Sequence, residues 1–249
     1  RSFIHYPEAT IREITAGKVL GFQLGYIGWV EPGGEPRPAL MMEFLQSPSP
    51  RVRRAMFSQV AARLNDGTLP KDVFDLAVKA VADPAESWWV KDAALHVISQ
   101  GQADWVLPHV ELLLPYLKSD EWWLANATIK ALTPLVNDKR AYQKVIPAIT
   151  EAVRTNMRPS LSLGLPVKIR EILNSADPEV QQLAIQSLSK TYSGFTGTPR
   201  SPGGLNQAHH LATHMDHIAA SLASIPGGID VLYELSRQRY PDQILPHKE

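Results

Sequence analysis

The chain of 249 residues balances 25 Lys and Arg against 25 Asp and Glu, and this zero formal net charge argues against a nucleic-acid partner, which normally demands a basic excess. The absence of cysteine removes disulfides, thiolate metal sites and a Cys nucleophile together, without fixing a compartment. No apolar run reaches the roughly 20 residues that cross a bilayer as a helix, and the longest, Val19 to Val30, is interrupted by Gly21, Gly25 and Gly28, so no membrane partner is expected.

The first residue is Arg rather than Met, which suggests processing or excision from a longer protein. Residues 1–36 read as an irregular N-terminal segment. Gly17, Gly21, Gly25 and Gly28 would align on one helix face, but each Gly weakens a helix by about 1 kcal/mol relative to Ala, so an extended course is equally compatible. Their spacing fits neither a phosphate-binding loop nor a dinucleotide fingerprint, and a packing segment is the expectation.

Residues 37–192 carry an internal repeat. Trp88-Trp89-Val90 recurs as Trp122-Trp123-Leu124, and both copies continue into a helical pattern with a small residue, Ala93 or Ala127, in the same column. Pro38, Pro70, Pro108 and Pro147 stand at or near the start of amphipathic runs, where the missing N–H of proline costs nothing. The partner helices follow short polar turns and align on Val52, Val90, Leu124 and Val180. Three residues on stand Ala55, Ala93, Ala127 and Leu183, and eight on stand Val60, Ile98, Leu132 and Leu188. Small residues in one column and large ones in the next allow close approach within a helix pair and filling between pairs. Ser and Asp in the turns are expected to cap the helices.

The phrases Ser49-Pro50-Arg51-Val52-Arg53-Arg54-Ala55 and Trp89-Val90-Lys91-Asp92-Ala93-Ala94 resemble the first helix of HEAT repeats, and Val106-Leu107-Pro108 and Val145-Ile146-Pro147 resemble the start of the second. The resemblance covers about residues 38 to 155, falters before Pro166, and resumes at Asp177-Pro178-Glu179-Val180. It implies an all-α fold, an α-α superhelix of the HEAT or armadillo-like solenoid class with about four to five helix pairs. Residues 193–204 read as a Gly/Pro-rich loop and residues 205–249 as a C-terminal helical cap, with an apolar stripe of Ala208, Leu211, Met215, Ile218 and Leu222.

Such an array implies a non-catalytic scaffold that binds another protein or another domain of the same chain. The second helices are expected to line the inner face, and their polar residues Glu43, Asp75, Lys79, Glu111 and Lys118 are the contact candidates. The alternative is an accessory helical domain of a larger bacterial enzyme, with a metal or carbohydrate site. His210, His214 and His217 share one flank of the first helix of the cap, at spacings that let two imidazoles hold a divalent metal; a solvated His-rich flank is the plainer reading, and no cofactor is otherwise implied. The paired tryptophans could stack on a ligand, yet their periodicity fits packing between repeats better. Arg51, Arg53, Arg54 and Arg63 form a basic face that is expected to be solvated or paired, with Glu43 and Asp66 nearby in sequence. No G-x-S-x-G elbow or paired acid-base constellation nominates a catalytic residue.

Overall fold

The computed structural model describes residues 38–64, 67–155, 165–194 and 215–239. All regular structure among them is helical. The chain divides into two compact units, Arg1–Pro134 and Leu135–Glu249.

The first unit contains α1 (Pro38–Leu45), α2 (Pro50–Arg63), α3 (Lys71–Ala82), α4 (Trp88–Ile98), α5 (Ala103–Val106), α6 (Val110–Leu113) and α7 (Trp122–Ala131). Short 3-10 turns at Leu107–His109 and Leu114–Lys118 follow α5 and α6. Pro108 and Pro115 explain the alternation: each removes a backbone donor, so the stretch from Ala103 to Lys118 runs as short α and 3-10 pieces, already helical before Pro108, where the sequence predicts a second helix starting at Pro108.

The turns before successive helices repeat one device. Ser47 Oγ, Asp83 Oδ1 and Ser119 Oγ each accept the backbone N–H two residues on, from Ser49, Ala85 and Glu121 at 3.2, 2.8 and 3.1 Å. These side chains therefore shape the turn rather than cap the helix. Ser49 and Ser87, at the helix boundaries themselves, make no side-chain cap bond. Extended backbone at these residues, and Pro50 in the first turn of α2, set the helix entry instead.

Packing follows the columns. The helices α2, α4 and α7 lie against one another in that order, α3 packs on α4, and the 114–118 turn packs on α7. Val90, Leu124, Ala55, Ala93, Ala127, Val60, Ile98 and Leu132 are all buried. Helix α4 is the centre of the unit, with Trp89, Val90, Lys91, Ala93, Ala94, Leu95, Val97 and Ile98 withdrawn from solvent. Lys91 is accommodated because its Nζ donates to Tyr116 Oη at 3.2 Å, whose hydroxyl in turn donates to the Val81 carbonyl at 2.7 Å. At Gly101 a Cβ would lie 2.5 Å from the Phe74 ring, so only glycine lets this turn close over Phe74.

A second interaction ties neighbouring pairs together. Arg53 Nε and Nη2 donate to the two Glu86 carboxylate oxygens at 2.8 and 3.0 Å, while Nη1 donates to the Ser47 and Pro48 carbonyls at 2.7 and 3.0 Å. The basic face of α2 is thus paired at this position, though with a carboxylate distant in sequence. Asp66 lies outside the described residues.

The second unit contains α8 (Tyr142–Thr155), α9 (Val167–Asn174), α10 (Pro178–Ser193), α11 (residues 215–223) and α12 (Gly228–Arg239). Pro147 lies inside α8 rather than at its start, because the helix already begins at Tyr142. Helix α10 packs against α8, α9 and α12. Val180 and Leu188 keep their column positions, but Leu183 is only half-buried and the adjacent Ala184 is fully withdrawn, so the column shifts by one residue. Gln181 Nε2 donates to the Leu173 and Asn174 carbonyls at 3.2 and 3.1 Å, satisfying the C-terminal end of α9. Ser221 Oγ donates to the His217 carbonyl at 2.8 Å and accepts the Leu165 N–H at 3.0 Å. Ile218 and Leu222 are buried as the apolar stripe requires; Ala208 and Leu211 lie outside the described residues.

Candidate functional site

The second helices of the first unit carry the exposed polar residues that the sequence nominates. Glu43 on α1, Asp75 and Lys79 on α3, Glu111 on α6 and Lys118 in the following 3-10 turn are all exposed. Their placement follows from helical periodicity, since Val73, Phe74, Ala77 and Val81 of α3, and Val110, Leu113 and Leu117 beyond it, are the buried positions. Asp75 is engaged by Lys71 one turn earlier in an exposed ion pair.

Lys71 extends this polar surface from α3 to α5. Its Nζ lies 5.1 Å from the Phe74 ring centroid and 5.7 Å from that of Trp105, and the two rings meet edge to face at 5.5 Å. Phe74 also lies 6.2 Å from the His109 ring. Burial first, and the Lys71 charge second, hold the His109 imidazole below its ordinary pKa, against a smaller opposing pull from Asp75. The patch therefore combines a half-buried indole, a neutral imidazole at pH 7 and a paired Lys–Asp couple from successive second helices.

The first helices carry a separate polar cluster. Arg54 on α2, Asp92 and His96 on α4 and Lys130 on α7 occupy corresponding positions on adjacent helices, with Asp92 and His96 one turn apart. His96 Nε2 stands 3.8 Å from Asp92 Oδ1, and the two side chains retain 32% and 16% exposure. Burial pushes the Asp92 carboxyl up to about 6, with the Arg54 and Lys130 charges working the other way. Burial and then the Lys130 charge push His96 down to about 4. Burial also lowers the Arg54 guanidinium, against the attraction of Asp92. Arg54 Nε and Asp92 Oδ1 are buried, and neither has a hydrogen-bond partner.

The tryptophan repeat diverges in use. Trp89 is buried, whereas Trp123 is 42% exposed and stacks on Trp122 with ring centroids 3.6 Å apart. Helix α4 has a first-row neighbour on each side, while α7 has one within its unit, which accounts for the difference. His210 and His214 lie outside the described residues; His217 is half-buried on α11. Among the described residues no group of three or more His, Asp or Glu is placed to hold a metal. No described helix is long and apolar enough to cross a membrane.

No protein-family model matches the chain, and no curated protein matches its sequence.

The first-row cluster is the feature that sequence reading missed. Arg54 stands among the arginines of α2, and His96 sits in an otherwise apolar stretch; only the register that aligns Val52 with Val90 and Leu124 brings Arg54, Asp92 and Asn126 into one column, and Ser58, His96 and Lys130 into another. Polar residues recurring two and six positions after the aliphatic of that column were the available signal.

Proposed function

We propose that the first unit is a non-catalytic helical-repeat module of the HEAT-like solenoid kind, whose second-helix row binds another protein or another domain of the same chain. The observation that carries this reading is the surface formed where α3 meets α5. Lys71, Asp75, Trp105 and His109 come together there, with Lys79 exposed on α3 and Glu111 and Lys118 exposed on α6 and the 3-10 turn after it. A partly exposed tryptophan bordered by both signs of charge is the composition of an interface hot spot with a polar rim. Ordered stacking of α2, α4 and α7 supplies the rigid support that such a surface needs.

The test compares wild type with a variant carrying charge reversals at Asp75, Lys79, Glu111 and Lys118, after circular dichroism has shown equal helicity. Proteins retained from a native lysate are identified and the interaction is then measured with the purified partner. A partner bound by the wild type and weakened in the variant supports the assignment. Equal affinity for both would remove the second-helix row from consideration.

A further inference from the structure

Lys71 shows what kind of group the surface between α3 and α5 accepts. Its ammonium is paired with the Asp75 carboxylate, 5.1 Å from the Phe74 ring centroid and 5.7 Å from that of Trp105. Both distances fall within the roughly 6 Å over which a ring face attracts a cation. One point on the surface therefore holds a positive charge by three attractions, one carboxylate and two aromatic rings. The point is reachable from solvent, since the Lys71 and Asp75 side chains keep 47% and 55% exposure and Trp105 is half-buried, with Phe74 buried behind it.

Lys71 is a weakly held occupant. An exposed ion pair one helical turn apart contributes little and fixes a long flexible side chain. A guanidinium at the same point is held better, because it is planar, less strongly hydrated than an ammonium, able to stack on an indole and able to pair with a carboxylate through two parallel hydrogen bonds. A partner carboxylate drawn to Lys71 would meet the Asp75 charge and the negative faces of both rings. The surrounding charge agrees with a cationic visitor. Besides Lys71, α3, α5, α6 and the adjoining 3-10 turns expose the carboxylates of Asp72, Asp75, Asp104 and Glu111 against the ammonium groups of Lys79 and Lys118. The His109 imidazole, 6.2 Å from the Phe74 ring, is held neutral at pH 7 by burial and then by the Lys71 charge, and so adds no repulsion.

We propose that Asp75, Trp105 and Phe74 form a subsite for an arginine side chain of the partner, and that Lys71 holds the place while the partner is absent. This rests on the reading of the α3–α5 surface as a protein-binding one. On docking, the guanidinium pairs with Asp75 against the Trp105 ring, and the Lys71 ammonium swings into solvent on its own stem. Lys71 thus acts as an internal competitor that admits arginine in preference to lysine.

Nuclear magnetic resonance of the full chain at pH 7 tests this with N-acetyl-arginine amide as probe, against N-acetyl-lysine amide and N-acetyl-glutamate amide. The readout is the Trp105 indole N–H, assigned with Trp105→Phe. Arginine amide should shift this signal saturably with about millimolar affinity, lysine amide should bind severalfold more weakly, and glutamate amide should leave the signal in place. Lys71→Gln removes the competitor and should tighten arginine amide by roughly three- to tenfold, whereas Asp75→Asn should weaken it by roughly the same factor. Lys79→Gln removes an equal charge from the same helix and should change the affinity by less than about twofold, the scale of an exposed charge acting at a distance. The substituted lysine and aspartate side chains are exposed, so folding is not at issue. No shift with arginine amide in Lys71→Gln, an equal gain in Lys79→Gln, or a preference for glutamate amide would overturn the proposal. The probes contain no partner protein, so the two readings fail separately. A protein that binds the wild type and is weakened by the charge reversals, together with an indole signal unmoved by arginine amide, removes the arginine subsite and leaves the protein-binding surface.

Discussion

The Arg53–Glu86 pair provides the sharpest quantitative check on how neighbouring helix pairs are held. Glu86 keeps 6% side-chain exposure and Arg53 22%, and their bidentate contact is extended by the Ser47 and Pro48 carbonyls on one side and the Ser87 N–H on the other. Removing one partner from a fully buried pair costs about 3–5 kcal/mol, since the other charge is left behind. Arg53 retains some solvent and two carbonyl acceptors, so Glu86→Ala is expected to cost about 2–3 kcal/mol. Arg53→Ala should cost a similar amount, and the double variant about as much as either single one, giving a coupling energy of about 2–3 kcal/mol in magnitude. Urea unfolding followed by tryptophan fluorescence is the suitable assay, because every tryptophan of the chain precedes Leu135 and the signal reports the first unit alone. Additive losses, with coupling below about 0.5 kcal/mol, would refute the view that this pair fastens one helix pair to the next.

The remaining expectations concern single sites. Gly101→Ala should destabilise the first unit by about 1–3 kcal/mol in the same unfolding assay, because the new Cβ meets the Phe74 ring and the Ile98 carbonyl at 3.2 Å. Ser221→Ala should cost about 1–3 kcal/mol in the second unit, read by urea unfolding followed by circular dichroism, since it strands the Leu165 N–H, which is buried with the serine. Asp92 and His96 should give opposite pH dependences. The folded His96 pKa of about 4 lies below its ordinary 6.5, so the unfolded chain takes up the proton first and stability is lost as pH falls from 6.5 toward 4. The folded Asp92 pKa of about 6 lies above its ordinary 3.8, so the folded chain takes up the proton first and stability is gained over nearly the same window. The two effects largely cancel in the wild type. Asp92→Asn should therefore weaken on acidification and His96→Gln strengthen, each by about 1–2 kcal/mol after allowance for partial exposure; parallel slopes would show that these groups do not titrate as described.

Much of the helical layout was legible because it rests on periodicities that propensity and burial impose together. The aliphatic columns at Val90, Leu124, Val60 and Ile98 predict buried positions, and the prolines at 38 and 70 mark real helix starts. Where a local signal had to compete with its context the outcome differed. Pro147 was absorbed into α8, and Pro108 with Pro115 broke the 103–118 segment into α and 3-10 pieces. Arg53 found its carboxylate across the inter-repeat turn, a pairing that sequence proximity cannot reveal. The same holds for the first-row cluster, whose members come from three helices and acquire a common environment only when those helices stack. The exposed residues of the second helices were legible because a helix face opposite a buried stripe must face outward.

The position of α4 has a kinetic consequence. This helix of 11 residues is packed by α2, α3 and α7 at once, all close to it along the chain. Contacts of low sequence separation form quickly, and an element shared by three neighbours gains from each that docks. The first unit should therefore assemble outward from its middle. Its outer helices can fray and re-dock while α4 stays in place, and the lifetime of the folded unit is set by the release of that one central segment.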